Sequence, residues 1–196
     1  QFFKVIELMG YPWAKDLVHV PFGMVSFEGQ TLSTRKGNIV YLDELLERAI
    51  EKAGEIIAQK NPELANKDAV ARQVGVGAVL FYDLYNSRIK DVDFWWDRAL
   101  AFEGETGPYV QYTHARACSV LAKSGVSAQE ALNNEQWDPE ALFNPEAQEV
   151  LSLLEGFPQA VRSACAKNEP CAVLRHTMAL AQAFNRFYFE HRIITD

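Results

Sequence analysis

Two stretches of this 196-residue sequence carry residue types that could do chemistry. The first, "TLSTRKGN" at 31–38, places hydroxyls, the adjacent cations Arg35 and Lys36, and Gly37 between the apolar runs "HVPFGMVSF" and "IVYLDELL". A tight turn at Gly37 with exposed backbone N–H groups, Ser33, Thr34 and both cations could grip phosphate oxygens. Mobile cations on a loop neutralise the charge that grows on a leaving pyrophosphate. On spacing alone, a solvated hairpin turn is the better account of such residues. The second stretch, "FEGETGPYVQYTHARA" at 102–117, puts Tyr109, Tyr112 and Arg116 at i, i+3 and i+7 of a helix, so they share one face. Two rings beside a guanidinium make a stacking platform for unstacked RNA bases. Core packing of the tyrosines with a solvated Arg116 is the plainer reading of the same spacing.

Two further stretches are weaker. "FYDLYNSRIKDVDFWW" mixes Tyr82, Tyr85, Asn86, Arg88 and Lys90 with Asp91, Asp93 and Asp97. Its carboxylates lack the spacing of a calcium loop, so a solvated helix entry fits better and no metal site is expected. In "FNRFYFEHR", Phe184, Phe187 and Tyr188 read as packing residues, with Arg186, His191 and Arg192 on a more exposed face.

The elements that must position these residues follow from periodicity. Phe2, Phe3, Ile6 and Met9 make one face of an opening helix stopped by Gly10 and Pro12. Residues 17–28 read as strands interrupted at Pro21 and Gly23, and Ile39–Tyr41 as a strand returning from the 31–38 turn. A helical stripe from Leu42 to Ile57 follows, with Asp43 and Glu44 at its positive end and Asn61-Pro62 as its stop. Residues 67–87 predict a second long helix, and 92–107 are short and irregular. Pro108 opens another helix that Gly125 ends. Ser127 and Glu130 form a capping-box pattern. Asn144-Pro145 predicts a helix ending near Gly156, Pro158 a short one to about Asn168, and Glu169-Pro170 the last. The fold class expected is mainly α: an antiparallel helical bundle preceded by a small α/β segment.

Formal net charge is −7, so any nucleic-acid partner must be met by a local basic or aromatic patch rather than by the overall field. Cys118, Cys165 and Cys171 have no metal-ligand spacing and read as reduced thiols in a cytoplasmic protein. No apolar run approaches the roughly 20 residues of a membrane span. The sequence lacks an initial Met and begins inside an amphipathic pattern, which suggests a piece of a longer polypeptide.

"GQTLSTRKGNIVYLDELL" followed by "FEGETGPYVQYTHAR", with "FNRFYFEHRI" near the end, resembles the C-terminal part of the arginyl-tRNA synthetases. That resemblance implies a class I enzyme that uses ATP, with Mg2+, to activate L-arginine and transfer it to tRNA(Arg). It implies that residues 1–62 are the end of a catalytic domain and 63–196 a helical DALR-type anticodon-binding domain, truncated at its C-terminus. Leu32, Ser33, Thr34, Arg35, Lys36 and Gly37 are similar to the family's KMSKS loop, which closes on the ATP phosphates. Thr31 and Thr34 stand where the motif has lysines, so Arg35 and Lys36 are the cations left to act in catalysis. By the same resemblance Phe102, Glu103, Gly104, Tyr109, Tyr112 and Arg116 meet the anticodon loop. Gly77–Leu80 would occupy the DALR name motif, matching only at Ala78.

None of the four histidines sits in the His-x-Gly-His setting that the family needs to bind ATP, so the chain is expected not to form arginyl-adenylate alone. A monomer with no membrane partner is expected. Two other readings stay open: a stand-alone tRNA-binding module, and a helical interaction scaffold.

Overall fold

The computed structural model describes residues 1–33, 37, 39–133 and 139–194. Among these, eight α-helices and a three-stranded sheet are formed, in agreement with the mainly α class. The helices are α1 (Phe2–Leu8), α2 (Leu42–Lys60), α3 (Lys67–Tyr85), α4 (Trp96–Ala99), α5 (Gly107–Ser124), α6 (Ala128–Asn133), α7 (Pro145–Lys167) and α8 (Cys171–Glu190). The strands are β1 (Val25–Phe27), β2 (Gln30–Thr31) and β3 (Val92–Phe94).

The α2–α3 pair packs through small residues. Ala49 and Ala53 of α2 and Ala71, Gly75 and Ala78 of α3 are all buried, which lets the two backbones approach closely. That core continues into Phe94, Trp96, Ala99 and Leu100, so it spans both sides of residue 62. Helices α5 and α8 pack on α3 and on each other, and α7 pairs with α8.

Local signals explain both ends of α5 and the start of α6. Thr106 accepts from the Tyr109 N–H at 3.2 Å, Pro108 occupies the first turn of α5, and Gly125 ends it at φ +71°. Ser127 and Glu130 bond reciprocally, at 3.2 and 2.8 Å, as a capping box should.

Four expectations are corrected. Residues 17–24 form no strand; Pro21 and Gly23 there instead bond to the segment after α3, with Gly23 N–H donating to Arg88 O at 2.6 Å. Ile39–Tyr41 is not a strand either, because β1 already pairs with β2. The tip of the β1–β2 hairpin is therefore Glu28-Gly29, at φ +48° and +77°, and Thr31 lies in its second strand. Both tip residues have positive φ, the geometry of a two-residue turn matched to strand twist. Within the irregular 92–107 run, Val92–Phe94 is a strand running parallel to β1. Finally, α7 continues through Pro158 as one helix. Proline removes an intrahelical donor there. His176 of α8 donates from Nε2 to the nearby Leu153 carbonyl at 2.6 Å, so packing supports the turn that proline weakens.

Asp93 fastens the hairpin to β3. Its carboxylate accepts from Ser26 Oγ at 2.7 Å, Gly29 N at 3.0 and 3.1 Å, and Trp95 Nε1 at 2.6 Å. The Gly29 N–H and then the Ser26 hydroxyl hold its pKa below the usual carboxylate range. Asp91 similarly accepts from Met24 N at 2.7 Å. Arg88 donates to the carbonyls of Pro21, Lys167 and Asn168, and its N–H meets Glu169 Oε1 at 3.0 Å. That N–H depresses the Glu169 pKa, and the His191 side chain does the same for Glu146.

These shifts set an acid limit on stability. A carboxylate whose folded pKa is depressed contributes stability that is present above its unfolded pKa and lost as pH falls through the folded value. The urea midpoint should therefore hold from neutral pH to about 5 and fall steeply below the unfolded carboxylate range of roughly 4. Asp93→Asn should be less stable at neutral pH and lose less on acidification. An equal acid loss in both proteins would remove Asp93 from this account.

Candidate nucleic-acid interface

The side of α5 that faces α8 builds a groove of about 570 Å³. Tyr112, Arg116 and Lys123 line it from α5; Tyr188 of α8 and His191 and Arg192 just beyond line the other wall. Among the described residues, its lining includes no Asp or Glu. In a chain of net charge −7, this is a local cationic patch of the kind an acidic protein needs to meet RNA.

The Arg116 guanidinium lies 4.9 Å from the Tyr112 ring centroid and 4.8 Å from that of Tyr188. A cation this close to two aromatic rings is attracted by both ring quadrupoles. Tyr112 is 55% exposed and Tyr188 39%, so both rings keep accessible surface for a further planar group. Tyr188 is thus a groove wall as well as a packing residue, and Arg116 is not a free surface cation. Its Nη1 donates to Asn185 Oδ1. Asn185 Nδ2 in turn donates to the Tyr109 hydroxyl at 3.0 Å and to Thr113 Oγ1 at 2.7 Å. His191 meets Glu146 at 3.1 Å, which closes the end of α8 onto the start of α7.

Of the six residues expected at an anticodon loop, the structure brings Tyr112 and Arg116 into this groove and ties Tyr109 to it through Asn185. Phe102 lines a neighbouring, more apolar groove between α3 and α5, under the Lys60 ammonium at 4.8 Å; Tyr112 borders both grooves. Glu103 lines a separate pocket with Asp97 and Glu105, and Gly104 sits in a left-handed turn beside it at φ +83°.

For the phosphate stretch, β2 leads from the Asp93-held turn into Leu32 and Ser33, and Gly37 has φ +71°. Thr34, Arg35 and Lys36, which include both expected catalytic cations, lie outside the described residues.

Asn185 was not singled out from sequence. It lies seven residues after Met178 and four after Ala181, both buried on the α8 core stripe. A carboxamide on an apolar stripe must find partners, and that was the available signal.

Comparison with known proteins adds the following. Residues 1–96 match the family "tRNA synthetases class I (R), catalytic domain", and residues 110–196 match "DALR anticodon binding domain". Gly77–Leu80, where the name motif was expected, lies outside the second match. The chain is 51% identical over its full length to the arginine--tRNA ligase of Alkaliphilus metalliredigens and 53% identical to that of Clostridioides difficile. It spans 34% of the length of each of these relatives. Among solved structures, the Thermus thermophilus arginyl-tRNA synthetase superposes with a TM-score of 0.79 at 34% identity, over 97% of this chain and 30% of that one. The Plasmodium falciparum enzyme, at 22% identity and TM-score 0.78, shares the fold.

Proposed function

Because the chain belongs to the arginyl-tRNA synthetase family, we propose that its α5–α8 groove binds the anticodon loop of tRNA(Arg). The observation that carries this reading is the Arg116 guanidinium at 4.9 and 4.8 Å from the Tyr112 and Tyr188 ring centroids, in a groove also lined by Lys123 and Arg192. Unpaired anticodon bases offer flat faces to Tyr112 and Tyr188, while Arg116, Lys123 and Arg192 meet phosphate charge. Phe102 lines the adjoining α3–α5 groove, and we assign it, with Glu103 and Gly104 beyond it, to the rim of the same interface.

The stretch Leu32–Gly37 is assigned the ATP step of a complete arginine--tRNA ligase. Arg35 and Lys36 would neutralise the triphosphate there, with Mg2+ accompanying the nucleotide. The enzyme would act as a monomer in the cytoplasm, taking L-arginine, ATP and tRNA(Arg). Residues 1–62 then serve its catalytic domain and 63–196 its anticodon domain. Exposed Phe2, Leu8 and Phe22 give the N-terminal segment an apolar surface suited to packing on further catalytic-domain structure. This supports the ligase over a free-standing RNA-binding module.

A labelled anticodon stem-loop of tRNA(Arg) tests the reading by titration. Saturable binding is expected, with log affinity falling against log salt at a slope of about −2 for three phosphate-facing cations on single-stranded RNA. Binding that ignores the loop bases, or none at low salt, would overturn it.

A further inference from the structure

The amide of Asn185 can be oriented by counting donors. Thr113 Oγ1 gives its one proton to the Tyr109 carbonyl at 2.9 Å, so towards Asn185 it can only accept. The Asn185 nitrogen must therefore face Thr113, at 2.7 Å, and the Tyr109 hydroxyl, at 3.0 Å. Its oxygen then faces Arg116 Nη1. Turning the amide over would set N–H groups against the guanidinium and an oxygen against the acceptor of Thr113. One orientation satisfies every partner.

We propose that Asn185 is a positioning residue for RNA recognition: it fixes the orientation of the Arg116 guanidinium beside Tyr112 and Tyr188. The proposal rests on the reading of the α5–α8 groove as an RNA interface. Both rings attract the Arg116 charge, but cation–π attraction leaves the guanidinium free to turn in its own plane. Only a directional bond within that plane stops it. Asn185 Oδ1 makes that bond, and Thr113 and Tyr109 on α5 lock the amide that makes it. One of the five guanidinium N–H donors is used, and the others keep a fixed direction for a base edge or phosphate. The geometry is thus set before RNA arrives, which lowers the ordering cost of binding.

Three variants and two readouts test this. With the anticodon stem-loop of tRNA(Arg) as probe, Asn185→Ala should bind about tenfold more weakly, the scale of one lost hydrogen bond to a charged group. In an Arg116→Ala background the same change should have no further effect, because its target is gone. Thr113→Val, which removes the acceptor that orients the amide, should give a smaller loss and serves if Asn185→Ala fails to fold. Equal losses from Asn185→Ala in both backgrounds would overturn the proposal. The second readout needs no RNA: nitrogen-15 spectra should show slow rotation of the Arg116 guanidinium in the parent chain and fast rotation in Asn185→Ala. If the parent chain does not bind the probe, the RNA reading fails, and the spectra still decide on positioning. Identical guanidinium spectra in the two proteins would overturn it.

Discussion

Replacing Arg116 with alanine is expected to weaken binding of the tRNA(Arg) anticodon stem-loop by about 10- to 100-fold, the range set by a stacked cation and a lost platform at roughly 1.4 kcal/mol per decade. The size follows from what Arg116 holds together. Its guanidinium contacts both the Tyr112 and Tyr188 rings, so its loss removes a charge and the group that links the two rings. Arg116→Lys separates these roles: it keeps the charge but not the planar face or the fork of donors, and most of the loss should remain. Lys123, on the same groove wall, contributes charge without a ring contact, so Lys123→Ala should cost only a few-fold and flatten the salt dependence. Fluorescence anisotropy of the labelled stem-loop measures all three. Equal effects at Arg116 and Lys123 would mean that diffuse charge, not a stacked platform, holds the RNA.

The second large effect concerns the pair of helices on which α5 and α8 rest. A Cβ built on Gly75 would lie 2.6 Å from the backbone carbonyl carbon and oxygen of Ala49 and 2.7 Å from Ile50 N. These are backbone atoms of α2, so the helices must separate and the seam around Ala49, Ala53 and Ala78 must open. Overpacking of this kind costs about 1–3 kcal/mol, more than the roughly 1 kcal/mol that alanine gains over glycine in helix propensity. Gly75→Ala should lower Tm by several degrees and Gly75→Val further, at about 2–4 °C per kcal/mol for a chain of this size. Gly54 faces the same seam, but its Cβ would meet only the Ala71 side chain at an ordinary 3.7 Å. There the propensity term acts alone, and Gly54→Ala should raise Tm by a few degrees. Calorimetry on the two alanine variants reads opposite signs if the close approach is real. Destabilisation by both would show that the contact distances do not govern this seam.

The helices were legible because their signals are local. The Pro108 start, the Gly125 stop and the Ser127–Glu130 box each depend on residues within a few positions, and all formed as read. The hairpin was misplaced because the residues near Gly37 resemble turn residues more than Glu28-Gly29 does. What selects the true tip is Asp93, which lies 64 residues from Gly29 and bonds its N–H. Pro158 was read as a helix start on propensity, whereas tertiary contact with α8 carries α7 through it. The site shows the same division. Tyr112 and Arg116 share a face by helical spacing alone, and that much was readable. Tyr188 and Asn185 reach them from α8, 69 residues after Arg116 in the case of Asn185, and no local period announces such a meeting.

The central claim is that the groove between α5 and α8 receives the bases of an anticodon loop. Photochemical cross-linking tests it most directly, with 4-thiouridine placed in the loop of the tRNA(Arg) stem-loop and adducts mapped on the chain by mass spectrometry. Adducts are expected at Tyr112 and Tyr188, lost when the loop is replaced by an unrelated sequence. Adducts confined to the exposed Trp95 or Phe22, with Tyr112 and Tyr188 unmodified, would contradict it.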